Sequence, residues 1–470
     1  MSDNSTIETF LNEVAANNAK GSSVYFLGIG GIGMSAIARY FNSRGVKVSG
    51  YDKTSTTLTR QLEAEGMHVH YTDDVTLIDH EAKFTVVTPA IPSGLQEFQW
   101  LKENGATMLK RSEVLGKITG NAYNICVAGT HGKTTTSTMI AHVLRHSGFG
   151  CNAFLGGIAS NYQTNFWSSE KNVCVAEADE YDRSFLQLHP DIAVITAMDP
   201  DHLDIYGNDE QFRKAFFAFS DKVKPEGTLI YRYGLEENGS FLNEKKWSYS
   251  KNDQQADCFA KNICMENGSY VFDVMLKEEC ISEIKLPMGG MHNVENAVAC
   301  IAACSLAGVS HTAIKQALAD FKGVHRRFEY KIRTERIVLI DDYAHHPEEL
   351  QALLQGARGL FPGYKCTVVF QPHLFSRTKD FADGFAETLQ LADSVILLPI
   401  YPARELPMPG VNSEMIAGKM ASEKVTCCGS ETMMELIRNK KNDEAPQLII
   451  MAGAGDIDTL VEPVKNILEN

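Results

Sequence analysis

Short apolar runs that stop at a glycine or a cluster of acids recur along this chain, and stretches of helical periodicity follow most of them. Residues 23–27, 47–51, 68–71 and 84–88 are such runs, and a helical pattern after the first extends through Asn42. A second series comprises residues 124–128, 172–176 and 191–197, and a third 337–340, 366–370, 394–399 and 447–452. Runs this uniformly apolar predict parallel strands buried on both faces, with the helices as crossovers. Residues 225–285 read instead as antiparallel strands and turns, and an alanine-rich helix is expected through Leu306. Breaks near residues 116–121 and 323 divide the chain into three α/β segments, 1–120, 121–324 and 325–470.

The ends of these strands carry the chemistry. Gly129-Thr130-His131-Gly132-Lys133-Thr134-Thr135 lies between a strand and a helix, so its backbone N–H groups form an anion cradle at the helix N-terminus. In such a loop Lys133 reaches the β- and γ-phosphates of a nucleotide, and the Thr134 hydroxyl sits on Mg2+. Two residues separate the glycines where four are usual, which points away from common kinases and GTPases. The following strands end in Glu177-Ala178-Asp179-Glu180-Tyr181-Asp182 and in Asp199-Pro200-Asp201-His202, positions suited to a metal beside the phosphates. Upstream, Gly28-Ile29-Gly30-Gly31-Ile32-Gly33 follows the first strand and Asp52 lies 19 positions past Gly33, a diphosphate-binding arrangement. In the third segment, Asp341-Asp342-Tyr343-Ala344-His345-His346-Pro347 and residues 371–378 crowd one edge of a sheet. The histidine pair lacks a third ligand at zinc spacing and is read as contacting substrate.

Composition narrows the partners. The 470 residues suit two to four domains, and 44% apolar with 22% charged residues is a globular composition. A formal charge of −15 argues against nucleic acid and anionic membrane surfaces, which require excess Lys and Arg; a small anion needs only a local positive site. No apolar window reaches the roughly 18 residues of a membrane span, and residues 1–20 hold no leader core. Eleven scattered cysteines without Cys-x-x-Cys spacing are expected to be reduced, which fits a cytoplasmic location.

Taken in order, residues 129–136 and 177–182, Asp201-His202, His292-Asn293, residues 341–347 and 371–378, and Gly453-Ala454-Gly455 resemble the Mur ligase family over essentially the whole chain. The resemblance implies an α/β fold of three domains. These are an N-terminal Rossmann-like domain for a UDP-sugar, a central P-loop-type ATP-binding domain and a C-terminal Rossmann-like domain. The last has a mostly parallel sheet and closes to deliver an amino acid. It also implies a ligase of peptidoglycan synthesis: ATP activates the carboxylate of UDP-N-acetylmuramate as an acyl phosphate, and the amine of L-alanine attacks it.

By position, Thr134 and Glu177 match ligands of Mg2+ or Mn2+, and His202 a ligand of a second metal. Lys133, Glu177, His202 and Arg377 match the catalytic set. Gly28, Gly30, Gly31, Gly33 and Ser35 match the UDP-diphosphate loop, with Asp52, Thr88, Ala90 and Ser93 toward the uridine. Gly129, Thr130, His131, Gly132, Lys133, Thr134, Thr135, Asn293, Asn296, Arg327 and Asp341 match ATP contacts. Tyr343, His345, His346, His373 and Arg377 match contacts to the amino acid. The chain departs from the pattern at Phe217, where related ligases carry a lysine, carbamylated in some; Lys214 is the nearest lysine. Residues 370–378 and 453–456 favour L-alanine over a preformed murein tripeptide, the substrate of a recycling ligase. An NAD-dependent oxidoreductase would leave Gly129, Glu177 and His202 without a role.

Overall fold

A computed structural model describes residues 2–200, 203–266, 268–403 and 405–469; His202, expected at a metal, lies outside them. The chain divides into two compact units, residues 1–261 with 273–282 and 295–318, and residues 262–272 with 283–294 and 319–470.

Two sheets dominate the first unit. Strands β1 (Ser23–Leu27), β2 (Lys47–Tyr51), β3 (His68–His70), β4 (Thr85–Val87) and β5 (Met108–Lys110) pair in parallel in the order β3-β2-β1-β4-β5. The order reverses at β1, so Gly28 and Asp52 open at the switch point where such sheets take ligands. The second sheet contains β6 (Tyr123–Ala128), β7 (Asn152–Ala159), β8 (Thr164–Trp167), β9 (Val173–Glu177) and β10 (Ile192–Ile195). It continues through β11 (Thr228–Arg232), β12 (Lys246–Ser250), β13 (Cys258–Glu266), β14 (Ser269–Leu276) and β15 (Glu279–Leu286). Its order is β15-β14-β13-β12-β11-β10-β6-β9-β7-β8. β6 lies between β10 and β9 and parallel to both, so three chemistry-bearing strand ends share one edge.

One expectation needs correction, and one element was not foreseen. β11 runs parallel to β10 and β12, and β12 parallel to β13, so residues 225–285 are not uniformly antiparallel. The connection 233–245 supplies the roughly dozen residues that a parallel return needs. Only two residues, Lys277 and Glu278, join β14 to β15, a link that antiparallel neighbours permit. Helix Arg111–Thr119 occupies the first part of the stretch 116–121 and ends shortly before β6. The antiparallel pair β7–β8 was not foreseen, because Gly156 and Gly157 obscure its apolar alternation.

Both sheets of this unit share one core. Helix Ile32–Ser43 sets Phe41 against Phe26 and Phe84, and places Tyr40 5.7 Å from Phe154 of β7. Arg39 of the same helix, 5% exposed, donates to Asn165 of β8 at 2.5 Å and forks onto Glu65.

The second unit holds β16 (Glu329–Arg333), β17 (Ile337–Asp342), β18 (Lys365–Phe370), β19 (Ser394–Leu397), β20 (Val425–Cys427) and β21 (Gln447–Ala452). The order is β16-β17-β21-β18-β19-β20, and all pairs but β16–β17 are parallel. Inserting the last strand between β17 and β18 brings residues 453–456 beside Asp342 and Gln371. Gly453 N donates to Asp342 O at 3.2 Å, and Gln371 Nε2 to Asp456 Oδ1 at 2.7 Å.

Candidate functional site

The phosphate loop is built by close approach. Gly129 has φ 138°, and a Cβ there would lie 2.1 Å from Thr196 Oγ1, at the end of β10. Gly132, φ 79°, caps helix Lys133–His146, and its Cβ would lie 2.7 Å from Asn296 Oδ1. Glycine alone fits both positions without strain. Thr196 Oγ1 lies 2.5 Å from His131 O, and Thr130 Oγ1 accepts from Asp199 N at 3.2 Å. The loop is therefore fixed by its neighbour strand, and the helix N-terminus has no side-chain cap. Lys133, the first helical residue, donates to Gly129 O at 2.6 Å and to Glu180 Oε1 at 2.7 Å. Thr134 is half-buried behind it and Thr135 is buried.

Three acids of the run, Asp179, Glu180 and Asp182, form ion pairs. Asp179 pairs with Arg111 at 2.9 Å, Glu180 with Lys133, and Asp182 with Lys110 at 3.0 Å. Glu180 is 2% exposed; burial pushes its carboxyl up, opposed by Lys133, and its Oε2 has no hydrogen-bond partner among the described residues. Glu177, the last residue of β9, pairs in register with Val127 and accepts Gly156 N at 3.1 Å. A Cβ on Gly156 would meet Glu177 Oε2 at 2.2 Å, so β7 can approach this carboxylate only through a glycine. The Thr134 hydroxyl and the Glu177 carboxylate are hard oxygen donors of the kind Mg2+ takes. Phe217 packs on Phe241 with ring centroids 5.1 Å apart, while Lys214 pairs with Glu210 at 2.6 Å on an exposed helix face. Neither offers an amine to a metal pair.

In the first sheet, Gly28 (φ 84°) faces Thr88, whose Cγ2 would be 2.9 Å from an added Cβ. This seats residues 88–93 over the glycine loop, with Ala90 and Ser93 exposed. Asp52 accepts Gly30 N at 2.8 Å and Thr54 N at 3.3 Å, so its carboxylate braces the loop. Gly31 caps helix Ile32–Ser43 without a side-chain bond, leaving open N–H groups. Ser35 departs from its expected place: it is fully buried, donates to Ile32 O at 2.9 Å and accepts from Asn165 at 3.0 Å. Arg111, which the sequence reading passed over, lies against Gly33. Its signal was the pair of bases, Lys110-Arg111, at the carboxyl end of β5.

The second unit gathers a different set. His345 and His373 have ring centroids 6.0 Å apart, His373 stacks on Tyr401 at 5.7 Å, and Arg377 Nη1 lies 3.4 Å from His373 Nδ1. Burial lowers the pKa of both histidines, and Arg377 lowers it further. Tyr343 lies under Arg326 and Arg327, at 5.0 and 5.7 Å. His346 turns away and packs on Phe381 at 4.5 Å, so the histidine pair does not converge. Asp341 is 1% exposed, and burial raises its carboxyl to about 7 against the pull of Arg326. Ligand atoms of His325, Glu329 and Asp341 lie within 4.8 Å of one another. Lys331, 3.1 Å from Glu329, and Arg326, 3.8 Å from Asp341, already supply positive charge there. Asn293 donates to Gly289 O at 2.7 Å, and Asn296 lies beside Gly132 as noted.

Comparison with known proteins agrees along the whole chain. Residues 23–123 match the model of the Mur ligase family catalytic domain, 127–304 the Mur ligase middle domain, and 326–455 the Mur ligase glutamate ligase domain. The UDP-N-acetylmuramate–L-alanine ligase of Porphyromonas gingivalis is 46% identical over 95% of this chain and 99% of its own. That of Parabacteroides distasonis is 45% identical over 96% and 98%. Among solved structures, the UDP-N-acetylmuramate-alanine ligase of Thermotoga maritima superposes with a TM-score of 0.82 at 27% identity, covering 95% of this chain and 99% of that one. A murein peptide ligase from Psychrobacter arcticus shares the fold, with a TM-score of 0.66 at 22% identity over 96% and 99%. With its phosphate loop, glycine-cradled carboxylate and three sheets in this order, the chain belongs to the Mur ligase family.

Proposed function

We propose that this protein joins L-alanine to the carboxylate of UDP-N-acetylmuramate at the expense of ATP, a step of peptidoglycan synthesis in the cytoplasm. The observation that carries the reading is the common edge of β6, β9 and β10: Lys133 and Thr134 open the helix that follows β6, and Glu177 ends the adjacent β9. On this reading residues 1–120 take the UDP-sugar, 121–324 the ATP and 325–470 the amino acid. The Gly28, Gly30, Gly31 and Gly33 loop holds the diphosphate, with Thr88, Ala90 and Ser93 beside the uridine. Gly129 to Thr135 wrap the ATP phosphates, and Asn293, Asn296, Arg327 and Asp341 take the nucleoside side.

In the first step a carboxylate oxygen bonds to the γ-phosphorus and the bond to the β-phosphate oxygen breaks, releasing ADP. One anion attacks another, so Lys133 and the open N–H groups of the helix must offset the developing charge. Mg2+ on Thr134 and Glu177, when bound, adds positive charge to the phosphates, and His202 is proposed for a second cation. In the second step the amine of L-alanine attacks the acyl carbon and phosphate leaves. Arg377 suits the alanine carboxylate by bidentate pairing, and burial holds the pKa of His345 and His373 beside it below the ordinary histidine value.

The test is phosphate release from Mg2+-ATP and UDP-N-acetylmuramate with single amino acids. Release with L-alanine is expected. Release only with the murein tripeptide would replace this reading with the recycling ligase.

A further inference from the structure

Arg111 opens helix Arg111–Thr119 directly after β5, and no role above accounts for it. A Cβ built on Gly33 would lie 2.2 Å from Arg111 Nη1, so the guanidinium covers the bare face of the glycine loop's last residue. Nη2 is tied to Asp179 at 2.9 Å, while Nη1 has no hydrogen-bond partner among the described residues. The arginine is a quarter exposed, and with Asp179 and Glu177 it lines one small cleft. One residue thus touches the loop of the first sheet and the acidic run of the second. From these contacts we propose that Arg111 binds the diphosphate of the sugar nucleotide, with Asp179 as the carboxylate that holds the guanidinium in place.

Three features support this. The glycine loop supplies only backbone N–H groups, and a diphosphate carries more charge than such a cradle offsets. Arginine presents five N–H donors in a planar fork, so one edge serves Asp179 while another serves phosphate oxygens. Gly33 itself is explained, since any side chain there would displace the guanidinium.

The proposal rests on the assignment of the first loop to a UDP-sugar, and calorimetric titration separates the two. If the wild-type protein fails to bind UDP-N-acetylmuramate, the functional reading falls. If it binds, Arg111→Ala is expected to weaken the complex roughly 10- to 100-fold, as for loss of charged hydrogen bonds, and Arg111→Lys to recover part. Nucleotide affinity should stay within about threefold. Asp179→Asn keeps the guanidinium but loosens its hold, and is expected to weaken sugar-nucleotide binding clearly less than Arg111→Ala does. Equal losses in Arg111→Ala and Asp179→Asn would make the pair a structural tether and overturn the proposal, as would unchanged binding by Arg111→Ala. UDP-N-acetylglucosamine, which lacks the lactyl carboxylate, should lose affinity in parallel; a loss confined to the muramate compound would also overturn it. Thermal melting of each variant shows whether it is folded.

Discussion

Lys133 and Glu180 form a buried pair whose members depend on each other. Removing the amine leaves a carboxylate in an apolar setting, which costs about 3–5 kcal/mol. Lys133→Ala is therefore expected to lower phosphate release about 100-fold or more while binding UDP-N-acetylmuramate normally, and to melt earlier. Adding Glu180→Gln should recover melting temperature without recovering turnover; recovery of turnover would refute the role of Lys133. Asp341 has the opposite sign. Its folded pKa, raised to about 7, exceeds the unfolded value, so its contribution is present in acid and lost as pH rises from about 4 through 7. Asp341→Asn is expected to be the more stable protein at pH 8 by up to about 4 kcal/mol in urea unfolding, with the gap closing near pH 4. The glycines, Lys133 and Glu177 were legible in the sequence because their chemistry is local. The inward turn of Ser35 and the divergence of His345 and His346 were not, since side-chain direction follows packing against Asn165 and Phe381.

The β7–β8 hairpin is the element that sequence periodicity concealed, and it bears directly on the site. Gly156 of β7 touches Glu177, so a methyl group there must push the carboxylate. Gly156→Ala is expected to reduce phosphate release at least about tenfold and to raise the Mg2+ concentration needed for half-activity, with a small change in melting temperature. Wild-type Mg2+ dependence would show that Glu177 does not hold the cation. β8 in turn supplies Asn165, which ties the hairpin to helix Ile32–Ser43 through Ser35 and Arg39. β11 and β12 show why strand direction escaped the sequence: apolar runs state that a strand is buried, and direction follows from what the connection can span.

For the whole molecule, a formal charge of −15 coexists with sites meant for anions. Local cations reconcile the two, because Lys110, Arg111 and Lys133 each meet an acid of the 179–182 run. The protein is expected to pass a heparin column unretained at low salt; retention would indicate a basic face that the charge balance does not support. The sequence alone determined the strand and helix inventory around the loops, the phosphate cradle and the family, since these depend on neighbours within a few positions. Tertiary structure decided which strand ends share an edge, which acids are already paired, and where Arg111 points. Those outcomes depend on contacts between residues far apart in the chain, such as Gly33, Arg111 and Asp179, which no local pattern encodes.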